Sequence, residues 1–98
     1  MTRKPTTNSQ GEQEAFNVRK RALLRSIQDH ELSLFEATLA FRKLLGMTQA
    51  EYGAKVIGLS RNQVAAIEKG NANPTLKTLQ AIGRPFGLEL GFVPRRKP

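Results

Sequence analysis

Ser60-Arg61-Asn62-Gln63 places a hydroxyl, a guanidinium and two side-chain amides on four consecutive residues. That set suits hydrogen bonding to base edges: arginine bidentate to guanine, asparagine or glutamine bidentate to adenine. A related run, Thr48-Gln49-Ala50-Glu51, lies twelve residues earlier. Both runs also match the capping box, in which a hydroxyl accepts from the backbone N–H three residues on and the acidic or amide side chain reaches back. Two helices are therefore expected to begin close together, at Thr48 and Ser60. Helix N-termini attract phosphate through exposed N–H groups and the helix dipole. Gln49 can donate its amide to a phosphate oxygen just inside the first cap, and Ser60 can do the same at the second. Gln63 has two claims on its amide, one from the capping box and one from a base.

Other chemistry is poorly represented. The chain has one histidine, His30, and no cysteine. Asp29, His30 and Glu31 are sequential at a helix end, so they do not converge as metal ligands or catalytic groups do. A solvated helix terminus accounts for them. Met47 and Tyr52 read as core packing. No enzyme activity, metal or cofactor is expected.

The 98 residues fit one domain, and at that size the core is small. Without cysteine, extra stability must come from helix packing or oligomerisation. No apolar run has the length of a bilayer span and no signal-peptide core opens the chain, so a cytoplasmic, nucleoid-associated protein is expected. The formal net charge of +8 implies an anionic partner. Residues 34–98 hold ten basic and four acidic side chains, against six and four in residues 1–33, so the excess lies with the two capped runs.

Residues 1–11 are polar and read as a disordered arm. Residues 12–31 carry an N-terminal helix, from Glu12 to about Asp29, with Phe16, Leu23 and Ile27 on one face. That face either docks on the main domain or receives a partner; a membrane-surface role is not needed to explain the charge. Residues 32–87 form the main domain. A second helix runs from Leu32 or Ser33 to Leu45, and Gly46 ends it in a left-handed cap. The third runs from Thr48 to about Ile57, the fourth from Ser60 to about Lys69. Thr75 caps a fifth, with Leu76, Leu79 and Ile82 facing inward, and Pro85 breaks the helix that follows. Residues 88–94 alternate Leu88, Leu90 and Phe92 on one face, which predicts a strand. Residues 95–98 are a basic tail.

A short helix, a glycine-containing turn and a short helix make a helix-turn-helix, whose second helix enters the major groove. On that helix Val64 and Ile67 mark the core side. Arg61, Asn62 and Gln63 occupy the first turn, which meets base edges, and Ala65 or Ala66 can touch a thymine methyl.

Residues 42–79 resemble the phage-repressor-like (XRE, or Cro/C1-type) helix-turn-helix regulators. The matching pieces are R-x-x-x-G-M-T-Q-A-E, G-L-S-R-x-x-V, I-E-x-G and N-P-T-L-x-T-L. The resemblance implies a mainly α, five-helix, lambda-repressor-like domain, here with an extra N-terminal helix and a short C-terminal β-strand. It implies phosphate contacts from Gln49, Ser60, Lys69 and Asn71. Base contacts are implied from Arg61, Asn62 and the position of Ala66, and an ion pair between Arg42 and Glu68. Two departures stand out. The turn VIGLS is one residue longer than usual, which bears on the register of the fourth helix, and Gly53 replaces a common alanine.

A lone strand needs a partner for its backbone groups. The simplest is a second copy, with Leu88, Leu90 and Phe92 in strands paired antiparallel across a two-fold axis. The tail GLELGFVP is similar to that of HipB-like antitoxins. The expected protein is therefore a homodimeric transcriptional repressor on a palindromic double-stranded DNA operator. It would autoregulate its own operon, as the antitoxin of a type II toxin–antitoxin system with a cognate toxin as partner. The alternative is a toxin-neutralising interaction module with little sequence-specific DNA binding.

Overall fold

The computed structural model describes residues 6–94, which divide in sequence into two compact units between Glu31 and Leu32. The first unit is a single helix, α1, over Thr6–Gln28. It begins inside the segment expected to be a disordered arm: residues 6–11 are helical. Once a helix has nucleated, each added residue gains a hydrogen bond at little further cost, so polar residues can extend it. Because of the earlier start, no acidic side chain lies in the first turn. At the other end His30 adopts a left-handed backbone (φ 57°), and its N–H donates to the Ile27 carbonyl at 3.0 Å. Residues 29–31 are therefore the C-terminal turn of α1. Among the described residues, no group of three or more His, Asp or Glu side chains is placed to hold a metal ion. Residues 1–5 and the basic tail, 95–98, lie outside the described residues.

Every regular element described in the second unit is a helix or helical turn. Its elements are α2 (Leu34–Leu45), α3 (Gln49–Tyr52) continuing into a π-helical turn (Gly53–Ile57), α4 (Arg61–Glu68) and α5 (Leu76–Gly83), followed by a 3₁₀ turn (Arg84–Phe86). Capping boxes start α2, α3 and α4 at Ser33, Thr48 and Ser60. Thr75 caps α5 by accepting from the Thr78 N–H. Gly46 and Gly58 end α2 and the π turn in left-handed conformations, φ 71° and 69°.

The core is built from Ala37, Phe41 and Leu44 of α2, Tyr52, Ile57, Val64 and Ile67 of the next two helices, and Ile82 and Phe86. Phe41 and Phe86 stack with ring centroids 4.4 Å apart. One inward position differs from expectation. Leu76 is 65% exposed, whereas Thr78 is buried with Ile82. Thr78 tolerates burial because its hydroxyl is hydrogen-bonded to that of Thr75 at 3.1 Å.

The extra residue of the turn is stored in the helix. After Tyr52 the backbone widens into a π turn, and the Gly58 N–H closes it on the Gly53 carbonyl. The Leu59 N–H donates to the same carbonyl at 2.9 Å. Ser60 then caps α4 in the ordinary way. The widened turn draws the Leu59 backbone onto Gly53. A Cβ at Gly53 would overlap the Leu59 carbonyl oxygen and lie 3.1 Å from the Leu59 carbonyl carbon and from Val64 Cγ2. Glycine is required here by close approach, although it weakens a helix.

Residues 88–94 form no strand, and no strand occurs among the described residues. The alternating pattern remains, but the ladder that defines a strand needs a second backbone, and the described residues offer none. Leu88 folds back to donate its N–H to the Gly83 carbonyl at 3.1 Å. Leu90, Phe92 and Val93 are 44%, 107% and 61% exposed.

Gly53→Ala tests this packing. Despite the higher helix propensity of alanine, the variant should lose about 1–3 kcal/mol through overpacking against Leu59 and Val64, measured by urea denaturation. Equal or greater stability would show that the π turn relaxes.

Candidate nucleic-acid interface

The three helices α2, α3 and α4 meet at one carboxylate. Glu68, in the last turn of α4, accepts from Arg42 Nε at 2.6 Å through Oε2, and from Arg42 Nη2 at 3.0 Å through Oε1. Gln49 Nε2 donates to the same Oε1 at 3.0 Å. Arg42 Nη1 donates to the Met47 carbonyl at 2.9 Å, in the turn before α3. The ion pair implied by the resemblance is thus present, with side chains only 14% and 6% exposed. Its bidentate fork has one favourable geometry, so it sets the angle of α4 as well as holding it.

The electrostatics follow. Burial alone would raise the Glu68 pKa, but the hydrogen bonds from Arg42 and Gln49 and the positive charges of Arg42 and Lys43 lower it on balance. Nearby, burial is the chief cause that pushes the Tyr52 hydroxyl up to about 12; the Glu68 charge adds to it and Arg42 opposes it. That hydroxyl is buried and has no hydrogen-bonding partner among the described residues.

With α4 so braced, its first turn faces outward. Arg61, Asn62 and Gln63 are exposed, as are Ser60, Lys69 and Asn71; Ala65 and Ala66 are half-buried on the two flanks. The competing claims on Gln63 are divided between its two ends. Its Oε1 accepts from the Ser60 N–H at 2.9 Å, and Ser60 Oγ accepts from the Gln63 N–H at 3.2 Å. The amide NH₂ group is left outside the capping box. Gln49 is the residue whose role differs most from a simple phosphate donor: it is half-buried and ties α3 to Glu68. One of its amide hydrogens is committed there, and the other is left for an outside acceptor. The Met47 carbonyl and the Gln49–Glu68 bond were not legible in the sequence, because both depend on the angle between helices.

Residues 34–98, with ten basic and four acidic side chains, carry a formal net charge of +6. Glu36 and Glu51 are engaged by their capping boxes and Glu68 by Arg42. Of the acidic residues in 34–98 that leaves only Glu89, which is exposed. The capping bonds from Thr48 also hold the Glu51 carboxyl below its ordinary pKa, so it stays charged without leaving its helix start.

Glu68 supplies a stability test. Its folded pKa lies below the ordinary 4.5, so its contribution is present above that value and is lost as pH falls through the lowered one. Glu68→Ala should cost about 3 kcal/mol near neutral pH by leaving Arg42 buried and unpaired. Its stability should then change less than the parent's on acidification below the ordinary value of 4.5. Urea melts across that range would check both points.

A helix-turn-helix family model matches residues 39–93. The chain is 34% identical over 65 residues to an uncharacterised HTH-type transcriptional regulator of Haemophilus influenzae, covering 66% of this chain and 65% of that protein. It is 40% identical over 50 residues to an uncharacterised HTH-type transcriptional regulator of Methanocaldococcus jannaschii, covering 51% of this chain and 74% of that one. A regulator of the same description from Archaeoglobus fulgidus matches at 40% over 50 residues, 70% of its length. The chain thus spans just under two thirds of the Haemophilus protein. No solved structure shows a significant match.

Proposed function

The chain belongs to the XRE-type helix-turn-helix family of DNA-binding transcriptional regulators, and we propose that it is a sequence-specific repressor that acts as a homodimer on double-stranded DNA. The observation that carries this reading is the exposed first turn of α4, with Arg61, Asn62 and Gln63 presented by a helix locked through Glu68. Arg61 and Asn62 read base edges, with Ala66 beside them. Gln49, Ser60, Lys69 and Asn71 hold phosphates through charge, amide and helix-terminus contacts. The regulator families to which such domains belong are not enzymes, and no described helix is long and apolar enough to cross a membrane.

Dimerisation is supported by the tail. Leu90, Phe92 and Val93 are exposed in a segment without regular structure, whose alternating pattern suits pairing with a partner strand. Pairing two such tails across a two-fold axis would place each α4 in the major groove of one half-site, about 34 Å apart on a palindromic operator. The likeness of the tail to HipB-like antitoxins supports autoregulation of its own operon together with neutralisation of a cognate toxin. A second reading, a toxin-binding module with little sequence-specific DNA binding, is favoured by Ala65 and Ala66, which bring no hydrogen bond to a base edge.

Titration of the full chain against the promoter DNA of its own operon, at two salt concentrations and with scrambled DNA as control, separates these readings. A repressor binds its operator selectively as a dimer, with affinity falling steeply as salt rises. Equal, weak binding to both DNAs would leave only the toxin-binding reading. On the operator, Arg61→Ala should cost about 1–3 kcal/mol and relax specificity at one base pair. Gln49→Ala should weaken all sequences alike.

A further inference from the structure

A cleft of about 360 Å³ lies between the end of the π turn and α5. Val56, Ile57 and Gly58 line it from the turn; Lys77, Ala81 and Arg84 line it from α5 and the start of the 3₁₀ turn. The volume falls within the range of ordinary small-molecule sites. None of these residues belongs to the candidate interface.

Positions 77, 81 and 84 recur at helical spacing and so share one face. A cation stands at each end of that stripe, about 10 Å apart along the helix, with a small side chain between them. Val56, Ile57 and Ala81 supply apolar walls, and Ile57 is only 6% exposed. Lys77 and Arg84 are both exposed, and among the described residues neither is paired with a carboxylate. The carbonyls that end the π turn are their nearest rivals for a ligand, yet neither cation donates a hydrogen bond to them. No acidic side chain lines the cleft. A concave site lined by charge of one sign focuses a field of that sign on whatever enters it.

We propose that this cleft binds a small organic dianion, an apolar body about 10 Å long with a carboxylate at each end. Lys77 takes one carboxylate as a point charge and Arg84 takes the other as a fork. The body lies on Val56, Ile57 and Ala81. A phosphodiester backbone has no apolar body to set against these walls, so the cleft suits a small molecule better than a further length of DNA. Such a ligand lies against the segment that leads into α4. The site stands whether or not α4 reads DNA.

The test is a titration of the isotope-labelled full chain with octanedioate, followed by NMR. Saturable shifts are expected at the amides of Val56, Gly58, Thr78 and Ala81. Octanoate, which lacks the second carboxylate, should bind about two- to fivefold more weakly, the worth of one exposed ion pair. K77M and R84M keep an unbranched stem at exposed positions and should leave the fold unchanged. Each should cost octanedioate the same factor, and the two together about tenfold. Inorganic phosphate, with no body to bury, should bind at least about tenfold more weakly than octanedioate. A81F, which fills the cleft, should abolish the shifts. No saturable shift at these amides, or an affinity unaltered in the K77M/R84M double variant, would overturn the proposal. So would inorganic phosphate that binds as tightly as octanedioate, which would mark the cleft as a contact for DNA phosphates.

Discussion

Three helices of this domain converge on the carboxylate of Glu68, and the direction in which the recognition helix points depends on that convergence. Arg42 approaches from α2 as a two-pronged donor, Gln49 from α3, and the remaining prong of Arg42 fixes the carbonyl of Met47. Apolar packing through Phe41, Val64 and Ile67 supplies most of the cohesion. Such packing is non-directional, however, and several helix angles would satisfy it. The fork-to-carboxylate geometry is met at only one. A buried ion pair of this kind is a costly way to gain stability, since both charges must be desolvated. Its use here is understood through the orientation it enforces on the helix that carries Arg61 and Asn62.

The second constraint is a matter of length. Against the family pattern it resembles, the segment between the two caps reads as one residue long, and a longer loop would have let α4 swing. Instead the surplus is taken up as a π turn, and the chain regains ordinary geometry at Ser60. The contact that results, Leu59 against Gly53, leaves no room for a side chain. A side chain at position 53 is therefore excluded by the same π turn that takes up the surplus.

Helix starts were the most legible feature of the sequence, because a capping box is a local event written in residues three apart. Thr48, Ser60 and Thr75 cap helices as expected, whereas the Ser33 box that starts α2 and the start of α1 at Thr6 were not read. The spacing VIGLS revealed an extra residue but not where it would go, since loop and helix can each absorb one. Leu76, expected inward, is exposed while Thr78 is buried, because hydropathy ignores hydrogen bonding: the threonine found a partner in Thr75. The tail shows a different limit. Its alternation is real, yet a strand is a property of two backbones, and no second one lies beside it among the described residues. Within the candidate interface, the types of Arg61, Asn62 and Gln63 could be read directly. The polarity of the Gln63 amide could not, because it depends on which end the cap takes.

The cap at each helix of the second unit also bears on how the chain reaches its structure. A helix whose first turn is closed by its own hydroxyl and amide or carboxylate has part of its nucleation cost met before any distant residue arrives. Successive helices here then dock on their neighbours in the chain, which keeps loop-closure entropy small. Domains assembled in this way reach the native state on microsecond-to-millisecond timescales. The Arg42–Glu68 bridge, which spans 26 residues, is the long-range step in that sequence of events. A regulator made this way passes from synthesis to its folded form without a long-lived unfolded state.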